Sequence, residues 1–454
     1  VYQRVSYYAD SDLRTLIFWG REEEALNHAR LRSDPFKRFE GLLIIYKTLS
    51  KKGFCRTALL TECFELTHSI AIKNQKVIAL VNSAVAFIEA ERNDEADVAF
   101  SEAKEVIETI DTDAQQAWAL RFLAMVISQV GNRSKAKEYF LDSFKISKLI
   151  SDRKLQVFNL TDLAVILVHN NYEAEAEIAY RESENIISTI SDDKEKERAL
   201  HTLATAFARG KEFERSRIVV REIQDVQYKI KALCSLAVYL WDASHIEDSK
   251  NVLDEVKQLA NPFFEFQLSG EDDWLEAEPL QALATALAQT NNFVEAEEVA
   301  DQIRNQWQRD LSLDEIAKAL TLAKQFIEAE RVARKIEDRK QQACTLRLIA
   351  ACLAQDGLLT EAKRIFDQAG QTIPMLVNYE KQTFILNAIA IALAKVECRS
   401  AAKTIFSKAR ESAQGINADW QQTKTLRDLA AELIQLKYFN EAEITINLLK
   451  DTRE

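Results

Sequence analysis

The sequence predicts an all-α solenoid of about twelve tandem helix–turn–helix repeats. Three observations carry that prediction. Turn residues are scarce: nine Gly and four Pro in 454 residues cannot serve a sheet protein. The better helix formers, Ala, Leu, Glu, Lys and Gln, dominate the composition. A Leu-x-x-[Leu/Ile]-Ala phrase also recurs, its Ala falling at Ala124, Ala164, Ala204, Ala237, Ala284, Ala317, Ala350, Ala390 and Ala430, with a weaker copy at Ala84.

Each element follows from that phrase. Four residues before every such Ala stands a Leu, from Leu80 and Leu120 to Leu426. Three residues after it stands a large apolar residue, from Phe87 and Ile127 to Leu433. Spacings of three and four share one helix face, and the Ala marks where a neighbouring helix comes close. Twelve residues on, a second small anchor follows: Ala96, Ala136, Ala176, Ser216, Ser249, Ala296, Ala329, Ala362, Ala402 and Ala442, with degenerate copies at Ala25 and Ala58. Turn residues separate the anchors, as at Gly131-Asn132, Asn170-Asn171, Gly210-Lys211, Asn291-Asn292 and Gly357. Each unit therefore reads as helix A, a tight turn, then helix B.

Small residues twelve apart, a large apolar residue three after the first and a Gly-Asn turn before the second resemble tetratricopeptide repeats over nearly the whole chain. The family's frequent Trp near the start of helix A is Leu here, and its Pro at the end of helix B is mostly absent, so the array is a divergent, TPR-like one. The resemblance implies a right-handed α-solenoid with helix A lining a concave face, and binding rather than catalysis as its work. In style the array is also similar to the repeat regions that follow nucleotide-binding switch modules in bacterial, STAND-type signalling ATPases, which implies a signalling or sensor role.

Unit length varies. Successive second anchors are 33, 38, 40, 40, 40, 33, 47, 33, 33, 40 and 40 residues apart. The difference between 33 and 40 is about two helical turns, and it is assigned to helix B and the junction after it. Long units carry an aromatic four after the anchor (Phe100, Phe140, Tyr180, Phe366, Phe406) and an Ile or Leu fourteen after it (Ile110, Ile150, Ile190, Leu376, Ile416). Short units put Val220, Leu253, Ala300 and Ala333 at the first of these positions. Asp152, Asp192, Asp225 and Asp338 precede the next helix A and are expected to cap it.

The interval of 47 contains Asn261-Pro262-Phe263-Phe264 and an acidic stretch ending at Trp274. Pro262 is expected to stop helix B. The expected organisation is N-terminal repeats over 1–260, an irregular insertion or hinge over 261–275 and C-terminal repeats over 276–454, in one continuous solenoid. Two readings of the insertion stay open: aromatics packed back on adjacent helices, or a binding or hinge element. Trp274, Trp307 and Trp420 each stand ten residues before a first anchor, where they serve either inter-repeat packing or partner contact.

A net charge of −12, from 71 acids against 59 bases, argues against a general nucleic-acid binder. The longest apolar runs, such as that from Leu42 to Tyr46, are too short to span a membrane, and no secretory signal is expected. Cys55, Cys63, Cys234, Cys344, Cys352 and Cys398 include no CxxC pair and read as reduced, buried small residues of a cytoplasmic protein. The chain starts at Val1 with the repeat pattern under way, so a piece of a larger polypeptide is expected, with an upstream effector or nucleotide-binding domain.

No GxxxxGK[ST], GxGxxG, HExxH or GxSxG occurs and the five His are dispersed, so neither catalysis nor a cofactor or metal is expected. The positions three before and five after the first anchor are expected to face the groove. They read Val81, Arg121, Thr161, His201, Cys234, Gln281, Asp314, Arg347, Asn387, Arg427 and Glu89, Gln129, His169, Arg209, Asp242, Gln289, Leu322, Gln355, Lys395, Gln435. A solvated groove explains their polarity without a ligand. Basic residues nevertheless cluster, with Arg121, His169, Arg198, His201 and Arg209 in the middle and Arg347, Lys395 and Arg427 later. With Trp274 and Trp307 these form the candidate partner-binding set, for a protein or peptide of acidic character. The family's carboxylate-clamping Asn, one after the first anchor, is absent: that column reads Met125, Val165, Thr205, Val238, Thr285 and Lys318. The alternative is a structural scaffold or oligomeric adaptor without a specific small ligand.

Overall fold

The computed structural model describes residues 22–54, 56–266, 273–356, 358–372, 399–417, 419–436 and 438–451, with single positions at 13, 17 and between 379 and 394. All the described regular structure is helical. The chain divides into two compact units, Val1–Gln224 and Asp225–Glu454. Unit 1 holds α1 (Glu22–Arg30), α2 (Pro35–Lys51), α3 (Thr57–Thr67), α4 (Lys73–Glu89), α5 (Asn93–Glu108), α6 (Asp113–Gln129), α7 (Arg133–Ser147), α8 (Arg153–His169), α9 (Glu173–Ser188), α10 (Asp193–Arg209) and α11 (Phe213–Glu222). Unit 2 holds α12 (Val226–Asp242), α13 (Ile246–Phe266), α14 (Asp273–Gln289), α15 (Phe293–Gln302), α16 (Gln306–Leu322), α17 (Phe326–Ala333), α18 (Arg339–Gln355), α19 (Leu359–Thr372), α20 (Arg399–Gln414), α21 (Asp419–Gln435) and α22 (Phe439–Asp451).

The architecture is an all-α solenoid. The helix A series is α2, α4, α6, α8 and α10 in unit 1 and α12, α14, α16, α18 and α21 in unit 2. Every one of these is 17 residues long. Each packs against the helix B that follows it and, from α2 to α10 and again from α12 to α18, against the helix A of the next repeat. The ten first-anchor Ala and the Leu four before each are all buried. An Ala there lets neighbouring helix axes approach, and the Leu fills the seam between them.

The turn between A and B is one motif repeated. The residue seven after the first anchor lies in the left-handed region at Glu91, Gly131, Asn171, Lys211, Ser244, Asn291 and Lys324. The next amide donates back to the carbonyl of the apolar residue three after the anchor, as in Asn132 N to Ile127 O (3.1 Å), Glu212 N to Phe207 O (2.8 Å) and Gln325 N to Leu320 O (2.9 Å). This pairing satisfies carbonyls that a helix end leaves orphaned. Where the second anchor is Ser, its hydroxyl donates to the first anchor's carbonyl: Ser216 to Ala204 O (2.8 Å) and Ser249 to Ala237 O (2.7 Å). The expected caps form at Asp152, Asp192, Asp225 and Asp338, each accepting from an amide two or three residues on.

Two expectations are corrected. Ala58 is exposed and is not an anchor; Leu60 takes that place. Other B helices begin three residues before their anchor, and α3 begins at Thr57, so its buried row starts two residues later than the anchor spacing implies. Pro262 also fails to stop its helix: α13 runs 21 residues, through Pro262 to Phe266. Pro262 has no N–H to donate to the Gln258 carbonyl. Val256 and Ala260 are buried just before it, and half-buried Phe263 and Phe264 follow. That packing offsets the roughly 3 kcal/mol a helical Pro costs. Of the interval 261–275, positions 261–266 and 273–275 are thus helical, and 267–272 lie outside the described residues.

The length variation lies in helix B, as expected. The long units have helices of 16, 15 and 16 residues (α5, α7, α9), against 10, 10 and 8 in the short ones (α11, α15, α17). Phe100, Phe140, Tyr180 and Phe406 are buried, as are Ile110, Ile150, Ile190 and Ile416. Phe140 meets Tyr172 and Phe406 meets Tyr438 edge-on, each across to the following repeat. The Phe366 side chain, Leu376 and Gly357 lie outside the described ones.

Candidate partner-binding faces

In unit 1 three successive A helices bring together a charged cluster. Arg121 on α6 is buried, 3% exposed. Its Nη2 lies 3.1 Å from Asp162 Oδ2 on α8, and its Nη1 donates to Asn159 O at 3.0 Å. Asp162 Oδ1 accepts from Arg209 Nη2 of α10 at 2.7 Å. Burial depresses the Arg121 guanidinium, Asp162 works to raise it and Arg209 lowers it further. One carboxylate thus faces two guanidinium groups, an excess of cation on this face. His169 is exposed, with Nδ1 turned onto Val165 O of its own helix at 2.7 Å. On α10, Arg198 is exposed and His201 half-buried.

The residues expected to face a groove divide into two kinds. Three before the anchor, Val81, Arg121, Thr161, Cys234 and Asp314 are buried, and His201, Gln281, Arg347, Asn387 and Arg427 half-buried. That position shares the packing face with the anchor, so it fills the seam between A helices. Five after the anchor, Glu89, Gln129, His169, Asp242, Gln289 and Leu322 are exposed. The exposed positions that sequence reasoning passed over lie six before the anchor: Trp118 on α6, 43% exposed, and Phe158 on α8, 54% exposed. Phe122 stacks on Trp118 with centroids 5.7 Å apart and planes 4° from parallel. Ile78 and Arg198 occupy the same position on α4 and α10, so the signal was a column of its own beside the two that were read.

In unit 2 the A helices α12, α14 and α16 enclose an open groove of about 390 Å³. Lys231, Cys234, Gln281, Thr285 and Gln289 line its floor and walls, and Trp307 stands at its edge, 67% exposed. Lys231 pairs across it with Glu278. Burial pushes the Cys234 thiol up to about 12, so it stays a neutral apolar wall at ordinary pH. Arg347 on α18 and Arg427 on α21 are half-buried and line no part of this groove. Beside Arg427, burial raises the Asp428 carboxyl against the pull of Lys424 and Arg427. Trp274 is the second residue of α14, but its side chain, like that of Trp420, lies outside the described ones, as does Lys395.

Cys63, Cys234, Cys344 and Cys352 are free thiols, the first two buried; Cys55 and Cys398 lie outside the described residues. Among the described residues no cluster of His, Cys, Asp or Glu could hold a metal ion, and no helix is long and apolar enough to cross a membrane.

No protein-family model matches the chain, and no curated protein matches it. Among solved structures it resembles Ton1535 from Thermococcus onnurineus NA1 at 18% identity, covering 83% of this chain and 98% of that one with a TM-score of 0.33. A Rap protein complexed with competence and sporulation factor aligns at 11% identity over 84% of this chain and 98% of that one, TM-score 0.27. The Naa15/Naa10 structure bound to HypK-THB aligns at 14% identity over 97% and 79%, TM-score 0.28. Each is a distant likeness.

Proposed function

We propose that the chain is a helical-repeat module that binds a protein or peptide on the faces of its A helices and performs no chemistry of its own. The observation that carries this reading is the groove across α12, α14 and α16, with solvent-exposed Trp307 at its edge. A concave, largely apolar floor with a few polar groups and an aromatic edge suits an extended peptide better than a reaction, because nothing there is poised as nucleophile or base. Covering the open face of an indole contributes on the order of 2 kcal/mol, enough to make it an anchor.

Selecting random displayed peptides on the immobilised full chain tests it. Peptides that occupy the groove should lose about tenfold in affinity on Trp307→Ala and on Gln281→Arg, a typical hot-spot effect. Equal capture by all three proteins sinks the groove as a site. Two finer readings rest on the sequence: an acidic partner, drawn by the basic residues of unit 1, and a sensor role within a larger STAND-type protein. Recovering the full reading frame tests the second, which needs a P-loop domain upstream.

A further inference from the structure

We propose that unit 1 carries a second docking surface, chemically distinct from the groove of unit 2, that takes an acidic peptide segment anchored by an aromatic or aliphatic side chain. The proposal rests on the reading of the chain as a partner-binding module and names a partner class for one of its faces.

The surface is a column. Six residues before the anchor, the neighbouring helices α6, α8 and α10 present Trp118, Phe158 and Arg198, all exposed. Adjacent packed helices stand about 8–10 Å apart, so these side chains form one short row. Neither aromatic is spare core. The core places of both helices are already filled by Leu120, Leu123, Ala124 and Ile127 on α6 and by Leu160, Leu163, Ala164 and Leu167 on α8, all buried. Phe122 lies flat against Trp118 and restricts it. A ring held in place before binding gives up little rotamer freedom when a partner covers it.

Charge settles the occupant. Beside the aromatics stand Arg198, exposed, and Arg209, which shares Asp162 with buried Arg121. Arg121, Arg198 and Arg209 stand against Asp162, and Glu195, one turn before Arg198, is itself paired with Lys154 of α8, so the face keeps an excess of positive charge in a chain whose net charge is −12. An incoming carboxylate meets Arg198 directly and can take Arg209 from Asp162, which keeps Arg121 as its partner. Aromatic rows with arginines also stack nucleic-acid bases, but such surfaces track a backbone with many cations, and this face offers few. A peptide with acids flanking an apolar anchor matches both halves.

The test is selection of random displayed peptides on the full chain, followed by affinity measurement for the enriched peptides. Enriched sequences should place an aromatic or large aliphatic residue within a few positions of two or more acids. Their binding should fall about tenfold on Phe158→Ala and on Arg198→Glu, weaken with added salt, and be unchanged by Trp307→Ala. Phe158 and Arg198 are both exposed, so these variants keep the fold, and circular dichroism confirms it. Enriched peptides without acids, undiminished binding to both unit 1 variants, or no enrichment at all overturns the proposal. Peptides lost only on Trp307→Ala overturn it too, while leaving the groove of unit 2 standing. Homopolymer RNA that binds the full chain and not the Phe158→Ala variant overturns it in favour of a nucleic acid.

Discussion

Glycine stands at two of the left-handed turn positions, Gly53 and Gly131, while Glu91, Asn171, Lys211, Ser244, Asn291 and Lys324 hold the same conformation with a side chain. An L residue in that region costs about 1 kcal/mol, less for Asn. Gly131→Ala should therefore lower stability by about 1 kcal/mol, and Lys211→Gly should leave it unchanged or raise it by up to about as much, read from urea midpoints. Gly210, next to Lys211, is glycine for another reason: it lies outside the left-handed region, and a Cβ there would sit 2.6 Å from the Tyr180 hydroxyl. Tyr180 donates that hydroxyl to Ala206 O at 3.3 Å, and burial pushes its ionisation upward. Gly210→Ala should cost about 1–3 kcal/mol as an overpacking change, and Tyr180→Phe in the same chain should recover part of it.

At the scale of the element, the B helices of successive repeats are laced by ion pairs whose acid stands one after the second anchor each time, while the base stands two after the next anchor at Arg331 and Arg364 and one before it at Arg215. Glu177 pairs with Arg215, Glu297 with Arg331 and Lys335, and Glu330 with Arg364. Arg215 also lies over the Phe207 ring, 4.1 Å from its centroid. The hydrogen bond from Arg331, with help from Lys335, holds the Glu297 carboxyl at about 2 against burial, from an ordinary 4.5. A depressed carboxylate stabilises the fold only while ionised. Its contribution is complete above about pH 4.5 and is lost as the pH falls towards about 2. Denaturation of Glu297→Gln across that window should show a shallower loss of stability than the parent chain; parallel curves would assign the linkage elsewhere. Isolated exposed pairs contribute little, so the ladder matters as a network that sets the stagger between neighbouring B helices.

At the scale of the whole molecule, the described helices of each unit pack against those of the same and the next repeat, so damage should stay local. Phe207 is fully buried between α9 and α11. Phe207→Ala should cost about 3–5 kcal/mol and, in hydrogen exchange, release the amides of α9 to α11 while α2 to α4 keep their protection. Uniform loss of protection would show that unit 1 unfolds as one body. The two compact units meet in sequence at Gln224 and Asp225. Pro262 advertised the end of a helix, but α13 runs through it, and a local turn signal cannot weigh the packing on either side of it.

The sequence by itself determined the repeat, the two anchors, the capping acids and the division into long and short helices B. All of these are short-range consequences of a 3.6-residue period, readable wherever Leu, Ala and a large apolar residue keep their spacing. Tertiary structure alone decided which polar residues meet solvent. The column holding Arg121 looked open and is buried at five positions and half-buried at the other five, because three before the anchor falls in the seam between helices, while Trp118 and Phe158, in a column the spacing did not single out, lie open. Burial depends on where the neighbouring helix axis passes, and a single chain's periodicity gives the face of a helix but not the line along which its neighbour covers it.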